Sequence, residues 1–368
     1  MTVHQNRTVD SRSSGLCGHL TVPSNRERAV THPRSTSARV DQRIYRSATS
    51  AKRDASNSGS RGGTAVKIAV IGAGALGCLY GGFLATAGHD VWLIHHRQST
   101  VDSLNRTGIR IESDDGVTSV SVPATTDAAE VGDADLVLVF VKAHQTIDAL
   151  EQHDGCIGPE TTLLSLQNGL RHYDQLADVV GADRALAGVS YQGARIDRPG
   201  QITQTAAGRS VLGGGDPQTA RDVVRILAAA GLPADRVDDP TRAIWAKQLV
   251  SLPVKPVAAL TRLPNGQLVT TDGPRSVMER IVREAELVAA TVGIDLPDAD
   301  PMERVVDICR SGPTHRSSML QDVLDERKTE IDEINGALVD IARAENVDVP
   351  ANALVTELVR GLERSYLE

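Results

Sequence analysis

The stretch that most constrains the fold is KIAVIGAGALG, residues 67–77. KIAVI reads as a short apolar strand, and Gly72, Gly74 and Gly77 follow it in the order G-x-G-x-x-G. In isolation this motif is weak. Here it leaves a predicted strand and opens a predicted helix, which is the context it requires. The first glycine allows the tight turn, the second lets a pyrophosphate approach the backbone, and the third lets the helix pack on the strand. The helix N-terminus then presents unpaired N–H groups and the positive end of its dipole to phosphate. Gly72, Ala73, Gly74, Ala75, Leu76 and Gly77 are the candidate dinucleotide cradle. A glycine-rich turn without a ligand is the alternative.

The chain then alternates. DVWLI (90–94), DADLVLVFVK (133–142) and TTLLSLQNG (161–169) read as buried strands, with helical stretches between them that include 143–151 and 217–230. Such alternation predicts an α/β domain with a parallel sheet covered by helices on both faces. GQITQTAAGRSVLGGG (200–215) reads as two short strands that extend the sheet. After about residue 239 the strand pattern stops, and 242–262, 274–294, 300–310, 317–346 and 351–367 read as helices, with apolar spacings of three and four. The expected layout is a disordered basic tail over 1–65, a Rossmann dinucleotide-binding domain over 66–238 and an all-helical substrate and catalytic domain over 239–368.

Composition narrows the classes. At 368 residues and 40% hydrophobic, the chain can build two cores. No run of about 18 apolar residues predicts a membrane span. Cys17, Cys78, Cys156 and Cys309 are far apart, so neither a zinc ribbon nor a CxxC pair is suggested, no metal site is expected, and a reduced, cytoplasmic protein fits best. Residues 1–66 carry eleven Arg or Lys against four Asp or Glu, a charge of +7, which leaves −15 on the remainder of a chain whose net charge is −8. An acidic body disfavours nucleic-acid binding, although the tail could touch polyanions weakly. A transit peptide or a mis-assigned start are other readings of the tail. Only six of the 39 basic residues are lysines, a balance compatible with high-salt life and equally with a GC-rich genome.

The second strand ends in LIHHRQS. An NAD site usually carries an acid near this point to hold the ribose hydroxyls, whereas this chain offers His95, His96 and Arg97. Arg97 can pair with a 2′-phosphate, so NADP is the favoured cofactor, with a solvated surface arginine as the alternative.

A second unusual stretch is AIWAKQLVSLPVKPVAALT, residues 243–261. It reads as a buried helix, yet Lys247, Ser251 and Lys255 follow one another at spacings of four, which puts them on one face. Pro253 and Pro256 predict a bend. A bent apolar helix with a polar inner line could wall a cleft. A solvated stripe on a surface helix is the commoner case.

KIAVIGAGALG, VFVKAHQ, LQNG, AIWAKQL, LPNG, SSMLQD and KTEIDEINGAL occur in that order, and together they resemble the ketopantoate reductase family over roughly residues 67–366. The resemblance implies a Rossmann domain joined to a helical domain like the C-terminal domain of 6-phosphogluconate dehydrogenase, with the active site between them. It also implies reduction of 2-oxopantoate to pantoate with NADPH on the route to coenzyme A, and a possible homodimer. Residue by residue, it implies that Gly72 to Gly77 and Arg97 hold the cofactor phosphates, the Arg97 match needing a one-residue gap. Lys142 would lie near the cofactor, Asn168 near both nicotinamide and substrate, and Ala194 would offer a backbone contact to the cofactor. Glu330 would contact the cofactor and close the cleft, Asn265 and Ser318 would bind substrate, and Lys247 would be the catalytic lysine. The chemistry agrees: hydride addition to a ketone builds negative charge on oxygen, which a neighbouring cation stabilises and protonates.

Ser251 and Lys255 depart from the family, which usually has asparagines there to hold the substrate. Three readings of Lys255 stay open: it binds the carboxylate of the same substrate, it binds an extra acidic group of another 2-oxo acid, or the prolines turn it to solvent. The activities carried forward are 2-oxopantoate reduction, reduction of another 2-oxo acid or an imine, and a non-catalytic NADP-binding sensor.

Overall fold

The computed structural model describes residues 65–296 and 300–368. The tail expected over 1–65 lies, but for Ala65, outside the described residues, as does Cys17.

Strand β1 (Lys67–Ile71) is an interior strand of an eight-stranded sheet. β2 (Asp90–Ile94) and β6 (Leu136–Val139) flank it, both parallel to it. β5 (Ala124–Thr125) lies outside β2, and β7 (Thr162–Ser165) and β8 (Ala185–Ser190) continue the parallel run beyond β6. The sheet is not wholly parallel, because β11 (Ser210–Gly213) pairs antiparallel with β8 and carries β12 (Ala234–Arg236) at the edge. Central strands face apolar layers on both sides. Ile68 and Val70 point into one core cluster and Ala69 and Ile71 into another. This period of two explains the near-continuous apolar runs.

Helix α1 (Ala75–Thr86) covers one face and is itself covered by a second sheet, in the order β4 (Gly116–Val120), β3 (Ile109–Ser113), β10 (Gln201–Ala206), β9 (Gly193–Arg198). Only one of the two strands expected at 200–215 therefore extends the main sheet. β10 leaves it because Ile202 packs with Ile109 and Ile111 in the core cluster that includes Leu79 and Leu84 of α1. Helices α2 (Gln98–Thr107), α3 (Thr146–Gln152), α4 (His172–Val180) and α5 (Pro217–Ala229) complete this domain.

The C-terminal part is helical: α6 (Thr241–Thr261), α7 (Asn265–Thr270), α8 (Asp272–Thr291), α9 (Pro301–Ser311), α10 (Ser318–Leu324), α11 (Ala337–Ala344) and α12 (Pro350–Leu367). The single helix expected over 317–346 is broken. Glu326 adopts φ 53° and ends α10, and the N–H of Arg327 closes back on the Asp322 carbonyl at 2.8 Å. The chain re-enters helix through a π turn, Asp332–Gly336, before α11. The run DERKTE has no apolar face to bury, so the helix has nothing to gain by continuing through it.

α6 joins the two parts. Its first residues, Ala243 and Ile244, pack with Ala187 and Val189 of β8. Further on, Trp245, Leu249 and Leu252 enter the helical core. Pro253 and Pro256 lie inside the helix and lack the N–H that would reach back four residues. The carbonyl of Leu252, left without its Pro256 donor, accepts instead from Asn335 Nδ2 at 3.0 Å. Among the described residues no helix is long and apolar enough to cross a membrane.

Candidate active site

The loop after β1 and the turn after β6 line one pocket, and the turns after β6 and β7 meet the middle of α6 across Glu330. In an open α/β sheet, ligands bind at the carboxyl ends of strands where the strand order reverses, here between β1 and β6. Gly72 has φ +100°, and a Cβ there would stand 2.7 Å from the backbone of Phe140 and Val141, so the turn requires glycine. Gly74 is different. Nothing lies within 4 Å of the place its Cβ would take, and its φ of −82° suits any residue. The protein's own packing makes no demand for glycine there, but a phosphate drawn onto the backbone does. α1 starts at this point with no side-chain cap and no acid in its first turn, so its first N–H groups face the same space. These residues fit a dinucleotide.

Beside them is a pocket of about 280 Å³ lined by Gly72, Ile94, His95, His96, Val141 and Gln145. His95 and His96 stack at 4.6 Å, and burial, with help from His96 and Arg97, pushes His95 down to about 4. Arg97 is exposed at the pocket's edge and donates from Nε to His96 Nε2 at 3.1 Å. One of its five donors is used in that bond.

An ionic cluster closes the other end. The turn Gln167–Asn168–Gly169 follows β7, and Gly169, at φ +112°, brings the backbone against Glu333 in the π turn. Asn168 thereby reaches Glu330, its Nδ2 donating to Oε2 at 3.2 Å, while the Ala143 N–H donates to Oε1 at 3.2 Å. Lys255 Nζ stands 3.8 Å from the same Oε2, and Lys142 Nζ donates to Asp322 Oδ2 at 2.6 Å. Burial pushes the Glu330 carboxyl upward, but Lys255, Lys142 and the two hydrogen bonds outweigh it and hold it below the usual range. Lys255 is 9% exposed, and burial pulls its ammonium down against the pull of Glu330. Its Nζ has no hydrogen-bond partner. The reading in which the prolines turn Lys255 to solvent therefore does not hold.

Lys247, two helical turns earlier on α6, donates to the carbonyl of Ser190 at the end of β8 at 2.9 Å and lies 6.0 Å from the Tyr191 ring. Burial, then the charge of Lys255, lowers it to about 7 despite the opposing pull of Glu330. An amine poised there can carry a proton or release it near neutrality. Ser251, on the same face between the two lysines, is buried. His172 at the start of α4 is buried and is pushed down to about 4 by desolvation and by Lys247, so it adds no charge at neutral pH.

The remaining candidates are spread around this centre. Asn265 opens α7; it is buried, its N–H bonds the His315 carbonyl at 2.9 Å, and its Oδ1 has no partner. Ser318 is the first residue of α10, while the preceding Ser317 caps that helix by accepting from the Leu320 N–H at 3.3 Å. Ala194 is on β9, packed into the same apolar cluster as Ala73 and Leu76 of the glycine loop. The structure thus links Lys255, Glu330, Asn168 and the Lys142 turn directly, and brings neither Asn265 nor Ala194 into that network of bonds. Asp322 and Asn335 were not singled out from the sequence. Both lie within the quoted SSMLQD and EINGAL motifs, as polar residues at buried helical positions.

A family profile described as "Ketopantoate reductase PanE/ApbA" matches residues 68–217, and its "C terminal" counterpart matches 239–363. The chain belongs to the ketopantoate reductase family. It is 32% identical over 307 residues to the 2-dehydropantoate 2-reductase of Halobacterium salinarum, covering 81% of this chain and 99% of that one. A PanE/ApbA family ketopantoate reductase from Ralstonia eutropha JMP134 superposes with a TM-score of 0.76 at 34% identity, over 82% of this chain and 100% of the other. A D-mandelate dehydrogenase solved with NADH and anilino(oxo)acetate gives 0.75 at 29% identity, over 82% and 99%. The family is one of NAD(P)H-dependent oxidoreductases with an N-terminal α/β domain and a C-terminal helical domain.

Proposed function

We propose that the protein reduces 2-oxopantoate to pantoate with NADPH, a step toward coenzyme A, with the helical part from residue 239 onward supplying the acid. The observation that carries this reading is Lys247. It is a partly buried amine lowered to about 7, held by the Ser190 carbonyl at the carboxyl end of the sheet and two turns from Lys255. When bound, the reduced nicotinamide supplies a hydride to the ketone carbon. Gly72 to Gly77 would hold the pyrophosphate, Arg97 the 2′-phosphate, and Lys142, Asn168, Ala194 and Glu330 the remainder of the cofactor. Asn168, Ser251, Lys255, Asn265 and Ser318 would orient the oxo acid. The partnerless Asn265 Oδ1 supports a role in receiving a hydroxyl or N–H. Protonated Lys247 points its charge at the developing alkoxide and gives up its proton to it.

Lys255 favours a second reading, reduction of a different 2-oxo acid, and the D-mandelate dehydrogenase shows how far substrates range within the fold. Purified protein should be assayed for NADPH oxidation with 2-oxopantoate and a panel of other 2-oxo acids. A clear preference for 2-oxopantoate supports the first reading, preference for another acid supports the second, and cofactor binding with no turnover on any acid leaves a sensor.

A further inference from the structure

The crevice holds more cationic than anionic side chains, and the surplus has a consequence for proton traffic. Three amines, Lys142, Lys247 and Lys255, face two carboxylates, Asp322 and Glu330. The groups acting on Lys247 are Lys255 from its own helix, Glu330 from the segment before the π turn, and His172 from α4, which is neutral. The Tyr191 ring, just after β8, stands 6.0 Å from Lys247 Nζ. Arg327, 3.5 Å from Asp322, is 58% exposed and its charge is largely screened. With every group ionised the cluster would carry one excess positive charge. Glu330 pulls on Lys255 from 3.8 Å without a hydrogen bond to it, while its two oxygens accept from Asn168 and the Ala143 N–H. The cluster is neutral when Lys247 is a free amine. An asparagine at 255 would leave two amines against two carboxylates, neutral with Lys247 protonated.

We infer that in this chain the buried Lys255 ammonium, which lies 3.8 Å from Glu330 and makes no hydrogen bond, is a carboxylate subsite, and that filling it with a 2-oxo acid draws a proton onto Lys247. The inference rests on the reductase reading of the crevice. The incoming carboxylate adds the third negative charge, the proton adds the third positive one, and the buried site stays neutral throughout. The overall reaction consumes one proton: oxo acid, NADPH and H⁺ give hydroxy acid and NADP⁺. That proton enters at the binding step. Lys247 later passes it to the ketone oxygen as the hydride forms the new C–H bond. Lys247, lowered to about 7 in the free protein, is mostly neutral at pH 8 and has room to take it.

The test is calorimetric. Oxamate, a 2-oxo acid isostere that is not reduced, is titrated into the full chain saturated with NADPH, whose nicotinamide is neutral, in two buffers of different ionisation heat, phosphate and Tris at pH 8 and phosphate and Bis-Tris at pH 6. At pH 8 the two heats should differ by an uptake of roughly half a proton or more per oxamate, and at pH 6 the difference should vanish. The neutral diamide oxamide should elicit none. Lys255→Asn should abolish the uptake at pH 8. Lys255→Met, which keeps the stem but no donor, should weaken oxamate roughly tenfold or more. Equal heats in the two buffers for the parent protein at pH 8, or unchanged uptake in Lys255→Asn, overturn the inference. NADPH turnover of 2-oxopantoate and the oxo acid panel on the same preparation separates the two failures. Turnover without uptake removes the coupling alone, and neither binding nor turnover removes the reductase reading with it.

Discussion

At the residue scale the chemistry depends on how much charge can be confined beside Lys247. Burial and Lys255 lower it to about 7, against a pull from Glu330 that is too weak to restore it. A depressed lysine is protonated below that value and neutral above it, so a reaction needing its proton should lose kcat/KM as pH rises through about 7. Lys255→Asn should move this break upward, which a pH profile of kcat/KM would show. Lys247→Ala should lower kcat about 10²- to 10⁴-fold and leave NADPH affinity nearly unchanged; stopped-flow fluorescence of NADPH binding beside steady-state rates checks both. At the adenosine end, Arg97→Ala should raise the KM for NADPH by roughly ten- to a hundredfold, as loss of a charged hydrogen bond does, and leave that for NADH unchanged. An equal effect on both cofactors would remove Arg97 from the 2′-phosphate. Lys247, Arg97 and Lys255 were visible as residue types in the sequence. The charge states of Lys247 and Lys255 were not, because each also depends on burial and on Glu330, brought from a distant segment of the chain.

At the element scale the main device is α6, an apolar helix whose two prolines leave carbonyls open. Asn335, fully buried in the π turn, repairs one of them by donating to the Leu252 carbonyl and also donates to Asn352 Oδ1 at 3.1 Å. This bond braces the segment between Ser251 and Lys255, and it explains why a buried asparagine sits where a core helix wants an apolar residue. Asn335→Ala should cost about 1–3 kcal/mol in urea unfolding. The cost should shrink in a Pro256→Ala background, where a backbone N–H can return to Leu252; strict additivity of the two changes would disprove the repair. The prolines and the EINGAL run were both legible in the sequence, but nothing in either stretch says that one serves the other. The break at 325–330 was missed for a related reason. Helical spacing resumes beyond it, and the left-handed Glu326 that ends α10 leaves no mark in periodicity.

At the scale of the whole molecule, a cofactor held as proposed would be coupled to stability through a loop that the apo fold does not need in that form. A Cβ at Gly74 meets no protein atom within 4 Å and no forbidden φ, so the melting temperature of Gly74→Ala without ligand should match the parent's. NADP⁺ at a hundred times its Kd should stabilise the parent by about 2.7 kcal/mol, and thermal melts of the variant should show none of this gain. A ligand-induced shift of equal size in both proteins would mean that the pyrophosphate does not lie on Gly74. Gly72→Val, by contrast, should destabilise the apo protein outright, because its Cβ would strike the backbone after β6.

Much of the architecture is written in local patterns. The glycine loop, the period-two strands and the period-three-and-four helices are short-range consequences of turn geometry and one-sided burial, so strand β1, helix α1 and the succession of an α/β part by a helical part could be read along the chain. The second sheet over α1 could not, since β10 joins β3 and β9 there for the sake of Ile202, Ile109 and Ile111 packing together across nearly a hundred residues. Nor could the balance of charge in the crevice. Lys247 and Lys255 announce two cations on one helical face. Whether those cations are screened, paired or left over depends on the dielectric around them and on carboxylates delivered by α10 and the segment after it, and these exist only once the chain has closed on itself.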